Sequence, residues 1–126
     1  VSGETVTPDD PLANLKQRLR EFAEERDWDQ FLSPKNLSMA LIVEAAELVE
    51  HFQWMTEEQS GQLSPDKQMA VGFELADILL YTIRMADKLD IDLLDMADRK
   101  IALNALKYPA DRVQGSLEPP LDNEEE

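Results

Sequence analysis

Glu44 and Glu47 stand three residues apart in one largely apolar stretch, and Glu74 and Asp77 repeat that spacing in another. On a helix, residues at i and i+3 share a face, so each pair would present two carboxylates side by side. Ionised carboxylates are costly to take out of water and are rarely left inside a fold without partners. Few lysines or arginines lie near these four acids in the sequence. A bound divalent cation meets the same need, and oxygen-only donors suit a hard ion such as Mg2+, with Mn2+ as a substitute. Di-iron bundles use Glu-x-x-His pairs on two of their helices. The single histidine, His51, does not stand three residues after any of the four acids and reads as a surface or packing residue. Zinc is disfavoured on the same ground.

A pair of acids at this spacing is common on solvated helix faces, so the setting decides. With about 100° per residue and Leu37 at zero, Leu41 and Leu48 lie near 40° and 20°, roughly, and Glu44 near −20°. Glu44 therefore sits in the leucine stripe, and Glu47 sits at its edge. In the second stretch Val71, Leu75, Ile78, Leu79, Leu80 and Ile83 occupy most of the circle. Glu74, Asp77, Tyr81, Arg84 and Lys88 share the remaining polar strip. A helix apolar on nearly all sides is a central one, so its polar strip faces the interior of an assembly.

The elements that must position these residues are legible from local signals. Asp9 or Asp10 followed by Pro11 caps a first helix that runs to about Trp28. Ser33-Pro34 starts a second, through Phe52, and Ser64-Pro65 starts a third, to about Leu89. Between them, residues 55–63 are polar, with a helical turn expected after Thr56. Asp90 or Asp92 caps a fourth helix that ends near Lys107, before Pro109. No stretch alternates with period two. Four helices with short connections predict an all-α four-helix bundle. The expected organisation is a disordered leader over 1–8, one domain over 9–112 and an acidic disordered tail over 113–126.

The 126 residues carry a net charge of −15, and all 12 basic residues lie between the two acidic ends. Such a surface repels nucleic acid and anionic membranes, so neither is expected as a partner. No apolar run reaches membrane-spanning length, and no secretory leader is expected. The absence of cysteine excludes disulfides and thiolate sites and fits a reducing, cytoplasmic location. Without a GxxxxGK loop or a GxGxxG turn, phosphates are not cradled by a glycine-rich loop.

Glu44-Ala-Ala-Glu47, then 26 residues, then Glu74-Leu-Ala-Asp77 resembles the ExxE…ExxD signature of MazG-like nucleotide pyrophosphohydrolases. Glu25-Arg26-Asp27-Trp28, Pro34-Lys35-Asn36-Leu37, Phe52-Gln53-Trp54 and Tyr108-Pro109-Ala110 bring the resemblance closest to the dCTP pyrophosphatase branch. It covers about residues 14–112. It implies a MazG-like bundle that assembles as a dimer or a dimer-of-dimers tetramer, with sites near subunit interfaces. It also implies Mg2+-dependent hydrolysis of a nucleoside triphosphate, dCTP or a modified pyrimidine dNTP, to the monophosphate and pyrophosphate in nucleotide house-cleaning. By the same resemblance Glu44, Glu47, Glu74 and Asp77 are the metal ligands and Trp28 and Trp54 bind the base. Tyr81, Lys100, Asn104 and Tyr108 match positions in or beside the family's nucleotide pocket. Leu19 stands where animal members have a histidine, so strict dCTP preference is not implied.

In that chemistry water attacks the α-phosphorus, and Glu47 is the first choice to orient or deprotonate it. Spacing does not separate ligand from base. Lys100, Asn104 and Lys107 share one face of the fourth helix, either as a phosphate clamp or as partners of Asp95 and Asp98. Arg84 and Lys88 either contact phosphates or balance charge at an interface. Two other readings stay open: a relative acting on dUTP or phosphoribosyl-ATP, and a non-catalytic helical oligomerisation module.

Overall fold

A computed structural model describes residues 10–118; the leader expected over 1–8 and the end of the acidic tail lie outside them. Helix α1 spans Pro11–Glu25, α2 Pro34–Phe52, α3 Glu57–Ser60, α4 Pro65–Lys88, α5 Leu93–Lys107 and α6 Ala110–Val113. A 3-10 turn, Asp29–Phe31, lies between α1 and α2. The described residues contain no strand, so the all-α class stands. No helix among them is long and apolar enough to cross a membrane.

The starts of α1 to α5 are each set by a side chain that satisfies an otherwise orphaned backbone N–H, whereas α6 has no side-chain cap. Asp10 accepts from Ala13 N at 3.1 Å, Ser33 from Asn36 N at 3.2 Å and Ser64 from Lys67 N at 3.2 Å, each with proline opening the first turn. Thr56 and Gln59 exchange backbone bonds of 3.1 and 3.0 Å in a capping box, which nucleates the short α3. Asp92, rather than Asp90, caps α5 by accepting from Asp95 N at 3.1 Å.

Helix α1 stops at Glu25, short of the expected Trp28, because Asp27 turns left-handed at φ 51°. Trp28 N then donates back to Ala23 O at 2.9 Å and Asp27 N to Glu24 O at 3.1 Å, a Schellman closure with aspartate where glycine is usual. Asp90, at φ 55°, closes α4 in the same way, with Ile91 N on Ala86 O at 2.9 Å.

The chain forms two compact units, one ending at Ile91 and one starting at Asp92. In the first, α4 packs against both α1 and α2, the central position its sequence predicts. Leu37 and Ile83, at 1% and 2% exposure, anchor this core together with Ala23, Val71 and Ala86. Burying a leucine or isoleucine side chain contributes about 1.5–3 kcal/mol. The face of α4 that carries Met69 and Phe73 stays uncovered, at 65% and 66% exposure. The second unit consists of α5 and α6, with Leu94, Ile101, Leu103 and Leu106 exposed.

Candidate functional site

The packing of α2 on α4 brings three of the four acids together. Carboxylate oxygens of Glu44, Glu74 and Asp77 lie within 4.8 Å of one another. Glu44 and Glu74 are half-buried and Asp77 is exposed. One oxygen each of Glu44 and Glu74 is buried and meets no hydrogen-bond donor. Among the described residues no lysine or arginine forms an ion pair with any of the three.

Glu47 stands outside this tight group but acts on it. The Glu44 carboxyl is pushed from an ordinary 4.5 up to about 7, first by proton sharing with Glu74, then by burial, then by Glu47 and the charge of Asp77. The Tyr81 hydroxyl, one turn beyond Asp77, is also pushed up, by burial and then by the charges of Glu44, Asp77 and Glu47. Tyr81 therefore stays protonated, a donor inside a negative field.

Oxygen donors that repel one another, with two oxygens left unsatisfied, fit a hard divalent cation. The ion would supply the positive charge this cluster lacks.

The neighbourhood holds a residue that sequence reasoning set aside. His51 is half-buried, with Nε2 4.0 Å from Glu74 Oε1. Its spacing, four residues after Glu47 and seven after Glu44, places it on the acidic face of α2. Only the approach of α4 reveals the neighbour.

A cavity of about 550 Å³ reaches Asp77 and is lined by α1, α2, α4 and the turn after α1. Asp77 and Tyr81 form one wall, and Leu19, Phe22, Trp28 and Leu37 supply an apolar one. Leu32 precedes the Ser33 cap and Leu37 lies four residues into α2, the positions of a hydrophobic staple, and both line the cavity. Trp28 meets Phe22 edge-on at 5.7 Å between ring centroids.

The remaining sequence candidates divide between the two units. Trp54 is 89% exposed and does not line the cavity. Lys100 and Asn104 are exposed residues of α5, and half-buried Tyr108 follows it, all in the second unit. Within that unit Arg99 pairs with Asp95 at 3.0 Å, and Lys107 Nζ lies 5.4 Å from the centre of the Tyr108 ring. Arg84 and Lys88, left open between phosphate contact and charge balance, both bind Asp29 of the first unit.

A family model described as the MazG-like family matches residues 39–117. Human dCTP pyrophosphatase 1 is 38% identical over 114 residues, covering 89% of this chain and 67% of that protein. The bovine dCTP pyrophosphatase 1 is 39% identical over 107 residues, covering 83% of this chain and 63% of that protein. The chain thus spans about two thirds of the length of these relatives. Among solved structures, a crystal structure of a pyrophosphatase from Archaeoglobus fulgidus is similar at 31% identity and a TM-score of 0.76, covering 84% of this chain and 99% of that one.

Proposed function

The chain belongs to the MazG-like family, and from that membership and the acidic cluster beside its cavity we propose that it is a metal-dependent nucleoside triphosphate pyrophosphohydrolase. The substrate is a dNTP, dCTP or a modified pyrimidine relative, and the products are the monophosphate and pyrophosphate. Its role is nucleotide-pool house-cleaning. The observation that carries this reading is the meeting of Glu44, Glu74 and Asp77 within 4.8 Å, with Asp77 also lining a cavity of about 550 Å³.

Glu44, Glu74 and Asp77, with Glu47 at their border, would hold Mg2+, or Mn2+ in its place. When bound, the ion neutralises phosphate charge and lowers the pKa of the attacking water. Glu47 orients that water and accepts its proton, since it lies beside the cluster without belonging to its tightest part. The water oxygen bonds to the α-phosphorus, and the bond to the β-phosphate's bridging oxygen breaks. Tyr81 donates a hydrogen bond toward the phosphates or sugar from the edge of the negative field. Trp28 stacks on the base, a contact worth roughly 1–3 kcal/mol in single-strand binders.

A homodimer or homotetramer is part of the same proposal. The uncovered face of α4 and the exposed Trp54 are of the kind that a second copy covers; Lys100, Asn104 and Tyr108 stay candidates for the nucleotide pocket by the family resemblance alone.

The decisive experiment is a panel of dNTPs and NTPs incubated with and without Mg2+, with products identified. Pyrophosphate and monophosphate are expected only with the metal, for a pyrimidine dNTP above all. No turnover of any nucleotide would end the proposal.

A further inference from the structure

Arg84 is buried, at 8% exposure, and the side chain of its partner Asp87 is covered to the same degree. Its guanidinium joins distant parts of the chain. Nη1 donates to Asp87 Oδ2 at 2.9 Å, within α4, and Nη2 donates to Asp29 Oδ1 in the 3-10 turn. Lys88 Nζ reaches the same Asp29 oxygen at 2.5 Å. Arg20 of α1 grips Asp87 from the other side, through Nε at 2.8 Å and Nη2 at 2.5 Å. Two cationic groups of α4 therefore converge on the residue that follows Trp28.

Such a network is a poor source of stability, because desolvating the charges offsets much of their attraction and apolar residues of similar volume often serve as well. A planar guanidinium fixed on two carboxylates supplies direction instead. The segment it grips needs direction. It follows the left-handed Asp27, its 3-10 turn has no side-chain cap, and Trp28 is 48% exposed. Trp28 and Arg84 line the same cavity as Asp77 and Tyr81.

We propose that Arg84, acting through Asp29 with Lys88 in support, is a positioning residue that sets the Trp28 ring against the cavity wall. A planar base entering the cavity then meets an aromatic face already in register with Asp77 and Tyr81. The brace stands on the ion pairs alone; its consequence for substrate rests on the pyrophosphohydrolase reading.

Asp29 is half-exposed, so its variants test the brace without opening the core. In a Trp54→Phe background Trp28 is the only tryptophan, and its fluorescence reports on it alone. Asp29→Ala is expected to raise acrylamide quenching of Trp28 and lower its anisotropy, and Asp29→Glu to restore both. In the enzyme with Trp54 intact, Asp29→Ala raises KM for the dNTP about 5- to 10-fold and leaves kcat within about twofold. Combined with Trp28→Ala, it adds nothing to the KM defect of Trp28→Ala alone. Unchanged quenching and KM in Asp29→Ala, or two defects that add in full, would overturn the proposal. A wild-type protein inactive on every nucleotide would instead remove the functional reading, and Trp28 quenching would still decide the brace.

Discussion

Glu44 on α2 and Glu74 on α4 bring carboxylate oxygens within 4.8 Å of each other, and each keeps one oxygen buried with no donor. In the metal-free protein this is a standing repulsion that one proton relieves and a cation would relieve better. Glu44→Gln or Glu74→Gln removes the repulsion and one ligand together. Loss of an outer-shell partner costs about 10- to 100-fold in metal affinity or activity, so loss of a ligand should cost at least about 100-fold. The melting temperature of the metal-free variant should stay level or rise. Calorimetric Mn2+ titration and a melting curve check both; a variant that keeps wild-type affinity contradicts the assignment.

The same pair gives a pH signature. The folded protein holds the Glu44 proton up to about pH 7, against 4.5 ordinarily. Folded chains therefore bind more protons than unfolded ones between these values, and stability falls as pH rises across them. This contribution is complete below the lower value and gone above the upper one. Melting of the metal-free protein should fall between about pH 5 and pH 8, and Mg2+ should restore it most at the alkaline end. Glu44→Gln should flatten that part of the profile.

Asp87 gives the opposite sign. Its carboxyl is held below the ordinary 3.8, first by its hydrogen bonds with Arg20, against a smaller opposing effect of burial. The stability it contributes is present above that value and is lost as pH falls through the depressed one. Asp87→Asn removes the negative charge that Arg20 and Arg84 share and should destabilise by about 3 kcal/mol at neutral pH, the lower end for a broken buried pair. Urea unfolding at neutral pH and near pH 3 separates the two effects: the wild-type advantage should shrink in acid.

Asp90 adopts φ 55°, a conformation in which a side chain costs energy and glycine does not. Asp90→Gly should stabilise by about 0.5–1 kcal/mol, the gain being limited by the greater freedom of glycine in the unfolded chain. Asp90→Val should lose stability, because a β-branched residue fits that region worst. Thermal melts of the two variants, compared with wild type, decide the order.

Phe73 and Met69 offer an apolar face at 66% and 65% exposure. If a second copy covers it, light scattering will show a dimer or tetramer, and Phe73→Glu will shift the mass downward. A wild-type protein that stays monomeric at tens of micromolar, roughly the range of a weak interface, contradicts the assembly.

The starts of the helices were legible in the chain because a cap is a short-range device. Ser33-Pro34, Ser64-Pro65 and Thr56 with Gln59 each satisfy backbone donors within three residues of themselves. The end of α1 was misplaced because its stop signal is Asp27, a residue that enters the left-handed region only when the following hydrogen bonds favour it. The two acid pairs were legible because i, i+3 spacing within an apolar stripe is written in one dimension.

The central place of α4 was legible too; what lay beyond reach was which side chains meet between elements. The chain alone assigned the all-α class, the helix order and the four acids worth watching. The packing of α2 on α4 selected Glu44, Glu74 and Asp77 as the close set, left Glu47 at the border and brought His51 to Glu74. It placed Trp28 on the cavity and Trp54 outside it, although both tryptophans read alike at helix ends. It also set Arg84, open in the sequence between phosphate contact and charge balance, against Asp29 and Asp87. The physical reason is range: capping and helical periodicity act over a few neighbours, whereas desolvation and ion pairing depend on which side chains packing brings together from 30 or more residues away, roughly the separation of a helix and its packing partner.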